Sequence, residues 1–298
     1  MTDLLAARIR AALPKLELRE KEPLSLHTSF RIGGPARLLA LPGSGEELAD
    51  LCRLLRSLGE KPLILGNGSN VLAPDEGLDR CVAVTARAEG SRIDGVMLEA
   101  ECGASLTALA SKAAKEGLAG LVFAYGIPGT LGGALVMNAG AYGGEMKDVT
   151  VQTRFLDADL NERVFRGPEQ GFGYRRSAFT EDMVLLSAKL RLEPGDPDCL
   201  REECRKLMER RRSSQPLELP SAGSAFKRPE GAYAAALIDQ AGLKGLRVGG
   251  AMVSEKHAGF IVNTGGATAS DVRRLLDTVR ERVLSASGIA LEPEIRVL

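Results

Sequence analysis

Between Ser44 and Gly59, leucines 48, 51, 55 and 58 recur at steps of three and four, the spacing of a helix with one buried face. Ser44-x-x-Glu47 ahead of them is a capping-box pattern, and Gly59 ends the run. The same reading predicts a helix from Ser105 to Gly117, with Leu106, Leu109, Ala110 and Ala113 inward. It also predicts a long final helix, opened by Thr268-x-x-Asp271, that buries Val272, Leu275, Leu276, Val279 and Val283. Further helices are expected in MTDLLAARIRAALPKLE, after Asp196-Pro197, and from Ala232 to Ala241. Short continuous apolar runs predict strands. They occur in SLHTSFRIGGPARLLALP, PLIL, CVAVTA, GVMLEAECG, VTVQTRFLDAD, MVLLSAKLRLEP, around AMVSEKHAGFIVN, and in the tail LEPEIRVL. No repeat is present. The expectation is an α+β chain of two lobes, residues 1–195 and 196–298, divided near GDPDC. The basic run Arg210-Arg211-Arg212 reads as a solvated helix end that complements the helix dipole.

Composition narrows the function. The 298 residues are 44% hydrophobic and 26% charged, with 39 basic and 39 acidic side chains. A chain with no basic excess, 4% aromatics and no Trp is a poor nucleic-acid binder. The five cysteines, Cys52, Cys81, Cys102, Cys199 and Cys204, are odd in number and form no CxxC pair. They are expected to be reduced and to serve packing, which favours the cytoplasm, and the N-terminus is read as a short amphipathic helix without an apolar signal core. No metal is expected. From Gly117 to Gly144 no residue is charged, which is long enough to span a bilayer. Pro128, Thr130, Asn138 and many glycines lower its hydropathy, and the flanking charges are balanced. A buried, irregular segment is expected there, and no membrane insertion.

Two glycine-rich stretches are candidates for backbone recognition. Gly66-Asn67-Gly68-Ser69-Asn70 follows the strand PLIL, where small residues let main-chain N–H groups approach an anion. It lacks the third glycine and the following helix of a dinucleotide fingerprint, so a hairpin turn competes with a phosphate site. The second stretch, GIPGTLGGALVMNAGAYGGE, runs from Gly126 to Glu145 with seven glycines and no Lys or Arg. Close packing of buried elements competes there with a backbone cradle for an extended cofactor. A P-loop is excluded, since the Walker lysine is missing.

GNGSN, IPGTLGGALVMNAGAYGGE, GYRRSAF, SAGSAFKRP, LIDQAGLKG, EKHAGFIVN and LEPEIRVL follow one another in this order. In this the chain resembles the UDP-N-acetylenolpyruvoylglucosamine reductase family, from about Leu26 to Leu298. The resemblance implies an FAD-binding lobe of the vanillyl-alcohol-oxidase type and a smaller α+β substrate lobe. It implies NADPH as hydride donor and noncovalent FAD, and a role in peptidoglycan precursor synthesis. The substrate would be UDP-N-acetylglucosamine enolpyruvate, reduced to UDP-N-acetylmuramate. In the family the glycine stretches wrap the FAD. The implied cofactor contacts are Gly66, Asn67, Gly68, Ser69, Asn70, Gly126, Ile127, Pro128, Gly129, Thr130, Gly132, Gly133, Asn138, Ala139 and Gly140.

The chemistry needs a cation at the substrate carboxylate and a proton donor facing C2. Tyr174-Arg175-Arg176-Ser177 matches the family's Tyr-Arg-x-Ser, which makes Arg175 the catalytic arginine and Tyr174 a substrate contact. Ala222-Gly223-Ser224 matches the motif that carries the proton-donating serine, with Lys227 as nearby positive charge. Glu294 matches the catalytic glutamate, in preference to Glu292, because Pro-Glu-x-Arg fits. Lys244 and Arg296 match positions that contact the nucleotide sugar or its phosphates; His257 faces the substrate or is a core histidine. Longer members insert a segment whose tyrosine closes over the sugar nucleotide. KRPEGAYAAALIDQ has no room for it, so the chain resembles the shorter type.

Overall fold

The computed structural model describes residues 4–298. Two compact units emerge, and the chain passes between them more than once. One comprises the chain up to Glu20, Leu38–Asn67 and Arg80–Glu209; the other comprises Lys21–Arg37, Gly68–Asp79 and Arg210–Leu298. The division therefore differs from a single cut after residue 195. The helix Pro197–Ser214 begins in the first unit, where Leu200 and Cys204 pack with Ala114. Two early segments go to the second unit because their side chains Phe30, Ile32 and Leu72 lie in its core.

In the first unit, helix Leu4–Ala12 buries Leu5, Ala6 and Ile9 in one core with Leu48, Leu51 and Leu55 of helix Gly45–Ser57. Ser44 caps the latter by accepting the Glu47 N–H, but the Glu47 carboxylate takes the Gly43 N–H instead of closing the expected box. Strands Pro35–Leu41 and Leu78–Val84 lie inside a four-stranded sheet, edged by Glu17–Pro23 and by Leu63–Leu65, which runs parallel to Leu78–Val84. A second, five-stranded antiparallel sheet is ordered Glu162–Arg166, Thr150–Leu156, Val184–Arg191, Met97–Glu101, Ser91–Asp94. Helix Leu106–Lys115, capped by Ser105, buries its predicted stripe beside that sheet's core residues Leu98, Phe155 and Leu190. Three edge strands, Glu17–Pro23, Ser91–Asp94 and Glu162–Arg166, escape the apolar pattern. Edges carry charges at positions that a central strand would bury.

The uncharged stretch is folded, not extended. It forms the short helix Leu131–Val136 and a tight pairing of Gly140–Ala141 with Gly144–Glu145. No helix of the described residues is long and apolar enough to cross a membrane.

In the second unit, an antiparallel sheet is ordered Ser221–Ser224, Phe260–Asn263, Ala251–Val253, Arg247–Val248. Helix Ala269–Ser287 closes its core with Val272, Leu275, Val279 and Val283 fully buried. All four N–H groups at its start have side-chain partners. Thr268 and Asp271 form the expected box, and the Asp75 carboxylate accepts from Ala269 (2.7 Å) and Ser270 (3.1 Å). The helix expected over Ala232–Ala241 is shorter, Ala234–Gln240. The tail divides its pairing: Lys227 N–H donates to Glu292 and Glu294 N–H to Ala225, whereas Arg296–Val297 runs parallel to Val71–Leu72. Arg211 is buried, 7% exposed, so the basic run is not wholly solvated as expected. Five cysteines are free thiols; Cys199 alone is exposed, and burial pushes the Cys52 thiol up to about 12.

Candidate active site

The two glycine stretches meet inside the first unit. Asn67 Nδ2 donates to the Pro128 carbonyl at 3.0 Å. A Cβ on Gly66 would lie 2.3 Å from Thr130 Oγ1, so only a glycine lets the chain pass there. Thr130 is 2% exposed and caps helix Leu131–Val136 by accepting the Gly133 N–H. An inventory of N–H groups separates the stretches. Gly126 donates to Thr107 Oγ1, Ile127 to Ala124, Leu131 to Ala104 (2.8 Å) and Gly132 to Cys102 (2.7 Å). The N–H groups of Gly129 and Thr130, and those of Gly66 and Asn67, donate to no carbonyl or side chain among the described residues. Open donors from both stretches thus lie together.

Other glycines in Gly126–Glu145 serve geometry. A Cβ on Gly132 would meet Cys102 at 3.0 Å, one on Gly140 would meet Glu145 at 2.7 Å, and one on Gly144 would meet Phe123 at 2.6 Å. Gly126 and Gly143 have φ of +84° and +90°. Asn138 is 1% exposed and adopts φ +41°. Both amide protons and the oxygen of its side chain are engaged: Nδ2 donates to Glu145 Oε2 (2.8 Å) and Gly173 O (3.1 Å), and Oδ1 accepts from Lys147 N (2.9 Å).

Arg175 sits in a tight turn of the first unit. Gly173 and Arg176 exchange N–H···O bonds of 3.0 and 3.2 Å, leaving Tyr174 and Arg175 at the tip. Arg175 has φ +54°, a left-handed conformation that a residue with a Cβ adopts only when its surroundings enforce it. They do so here. Phe172 and Phe179 flank the turn, and Phe179 joins Phe155 and Phe165 in an aromatic cluster. Ser177 Oγ donates to Val136 O at 2.9 Å. The half-buried guanidinium reaches Gly140 O at 3.5 Å, while the Tyr174 ring, 51% exposed, lies 5.3 Å from Arg175 Cζ.

The second unit carries the other expected residues. Gly68 opens its share of the loop at φ +58°, with room for a Cβ denied by the His27 carbonyl at 2.3 Å. The N–H groups of Gly68, Ser69 and Asn70 are undonated among the described residues. Asn70 grips the tail twice, through its side chain to Glu294 O (3.1 Å) and through its carbonyl to Arg296 N (3.0 Å). Ser224 is exposed at the end of its strand, next to Ala225, whose carbonyl accepts the half-buried Glu294's N–H at 2.9 Å. Lys227 is ion-paired with exposed Glu292 rather than with Glu294, and both line a surface pocket of about 400 Å³ with Arg228, Pro229, Glu230, Ile289 and Ala290. Lys244 pairs with Asp239 at 2.7 Å. Burial holds the His257 imidazole below its ordinary pKa; Nδ1 accepts the Gly259 N–H at 3.1 Å, and the ring meets Phe260 edge-on. His27, the other histidine, lies 3.0 Å from Glu22. Arg296 is exposed on its strand.

A profile of FAD binding domains matches residues 36–160. Alkyldihydroxyacetonephosphate synthase superposes with a TM-score of 0.50 over 65% of this chain and 41% of its own, at 17% identity, a likeness of fold. Together with the donor-lined junction of the glycine stretches, these define an FAD-binding protein with the vanillyl-alcohol-oxidase type of α+β fold. A profile of the C-terminal domain of UDP-N-acetylenolpyruvoylglucosamine reductase matches residues 215–298. The UDP-N-acetylenolpyruvoylglucosamine reductase of Caldanaerobacter subterraneus is 44% identical over 299 residues, covering 100% of this chain and 99% of that one. The crystal structure of the Thermus caldophilus reductase superposes with a TM-score of 0.81 at 36% identity, covering 95% and 98%. The chain belongs to the UDP-N-acetylenolpyruvoylglucosamine reductase family.

The residues present fit FAD. A diphosphate needs several N–H donors that are not already donated, and Gly66, Asn67, Gly129 and Thr130 would supply them without a lysine. Two residues carry structural work that the sequence did not disclose: Asp75 at the final helix and Glu145 beside Asn138. Asp75 has no local motif, because its partners are backbone groups remote in sequence; the partners of Glu145, namely Asn138, Lys147 and Asp148, all lie within seven residues of it.

Proposed function

We propose that the chain reduces UDP-N-acetylglucosamine enolpyruvate to UDP-N-acetylmuramate, with NADPH as electron donor, in the cytoplasmic assembly of peptidoglycan precursors. The observation that carries this reading is the set of open N–H donors where Gly66–Asn67 meets Pro128–Thr130, in a chain of this family. FAD held by the N–H groups of Gly66, Asn67, Gly129 and Thr130 would supply, once reduced by NADPH, the hydride needed at C3 of the enolpyruvyl group. Negative charge then accumulates toward the substrate carboxylate. Arg175 would hold that carboxylate, since a guanidinium offers two parallel donors and stays charged at any physiological pH. Ser224 would deliver the proton to C2; a hydroxyl is a weak acid, so this works only against a carbanion-like carbon. Glu294 would support the charge distribution with Arg175. Tyr174, Lys244, His257 and Arg296 are proposed substrate contacts, and Lys227 acts there only by exchanging its partner Glu292.

The experiment follows the flavin band anaerobically. NADPH should bleach it, and the enolpyruvyl sugar nucleotide should restore it. In Ser224→Ala the bleaching persists and the recovery falls by about 100-fold or more, the range for loss of a general acid. Recovery at the native rate in Ser224→Ala would remove the proton-donor assignment. A flavin that bleaches and never recovers, even in the unaltered protein, would overturn the substrate.

A further inference from the structure

We propose that Asn138 is a positioning residue for Arg175, a role that rests on the reading of Arg175 as the carboxylate-holding group. The turn that presents Arg175 is held to the stretch Val136–Gly140 at alternate residues. Ser177 Oγ bonds Val136 O, Asn138 Nδ2 bonds Gly173 O, and Arg175 Nη1 reaches Gly140 O. Of the three, Asn138 is the one that is fully buried and has every polar side-chain atom engaged. It fixes the first residue of the turn. Its second amide proton goes to Glu145, whose carboxyl is kept below the usual carboxylate range chiefly by Lys147, with Asn138 and Arg175 adding to the effect. The carboxylate whose charge Arg175 feels is thereby fixed as well.

Residue type matters at this position. Asn tolerates the left-handed φ of +41°, as Gly does. Asp would lose both donors and set a second carboxylate against Glu145. Ser is too short to bridge Gly173 and Lys147 together. A left-handed Arg175 costs energy wherever its surroundings do not impose it, so loosening the base of the turn releases the guanidinium from its direction.

A double-mutant cycle tests this on the FAD-loaded enzyme. Asn138→Gly keeps the backbone conformation and removes all three bonds; Asn138→Asp, run in parallel, keeps the size and the acceptor for Lys147. FAD content per chain and the rate of flavin recovery with the enolpyruvyl substrate are measured, with and without Arg175→Ala. Displacing a positioned group by about 1 Å costs on the order of 100-fold, so recovery should slow by about 10- to 100-fold when Arg175 is present. In the Arg175→Ala background the same changes should alter it by no more than about twofold, because the group they position is gone. FAD content should equal that of the unaltered protein. An equal loss in both backgrounds, or loss of FAD with an unchanged rate per bound flavin, would overturn the proposal. Native-rate recovery in Arg175→Ala alone is a different result: it removes the reading of Arg175 itself.

Discussion

The loop Gly66–Asn70 has two glycines, and all five of its N–H groups remain undonated among the described residues. Gly126–Gly133 has four glycines, yet five of its seven N–H groups donate within the chain. In the loop, glycine lets the backbone pass Thr130 and the His27 carbonyl while its donors stay open. In the second stretch and the hairpin that follows it, glycine mainly allows close packing: Gly132 against Cys102, Gly144 against Phe123, and Gly140 against its hairpin partner Glu145. Gly129 and Thr130 are the exceptions, and they lie where the loop arrives. Glycine count is therefore a poor guide to an anion site. What counts is which N–H groups have no acceptor in the folded chain.

The comparison can be broken at single residues. Gly66→Ala should have the largest effect, because its Cβ must displace Thr130 or the loop itself. Losing two bonds to a charged phosphate costs about 3–6 kcal/mol, so FAD affinity should fall by about 100-fold or more on fluorescence titration. Asn67→Ala removes the clip to Pro128 but leaves the backbone free. One neutral hydrogen bond is worth about 0.5–1.5 kcal/mol, which predicts an FAD affinity weaker by about 2- to 12-fold. Gly133→Ala should have the smallest effect and the opposite sign for stability. Its Cβ would lie 3.6 Å from Thr130 Oγ1, an ordinary contact, and its N–H is already donated. Replacing a helical Gly with Ala stabilises by about 0.5–1 kcal/mol, visible in thermal unfolding, and FAD affinity should not change. A Gly133→Ala protein that cannot hold FAD would mean that the second stretch binds the cofactor along its whole length.

Legibility in the sequence followed how local each interaction is. The helices Gly45–Ser57, Leu106–Lys115 and Ala269–Ser287 could be read from stripe and cap, since both lie within a few residues. The edge strands could not, because charged residues mask their alternation. Asp75 caps a helix 194 residues away, and no pattern in the chain announces it. The same holds for the donors of Leu131 and Gly132, whose acceptors are the carbonyls of Ala104 and Cys102. The glycine stretches were visible as candidates, but the choice between cradle and packing needed those partners. The roles of Arg175, Ser224 and Glu294 came from resemblance. Folding shows how the Arg175 turn is held and that Glu294 pairs beside Ser224 through Ala225.

Amide hydrogen exchange with and without FAD, resolved to single residues, tests the central distinction most directly. Binding should slow exchange at Gly66, Asn67, Gly129 and Thr130, whose N–H groups would gain phosphate acceptors. Leu131, Gly132 and Gly133 should be protected in both states. Protection gained at Leu131–Gly133, with none at Gly66 and Asn67, would contradict the account and move the diphosphate onto the helix of the second stretch.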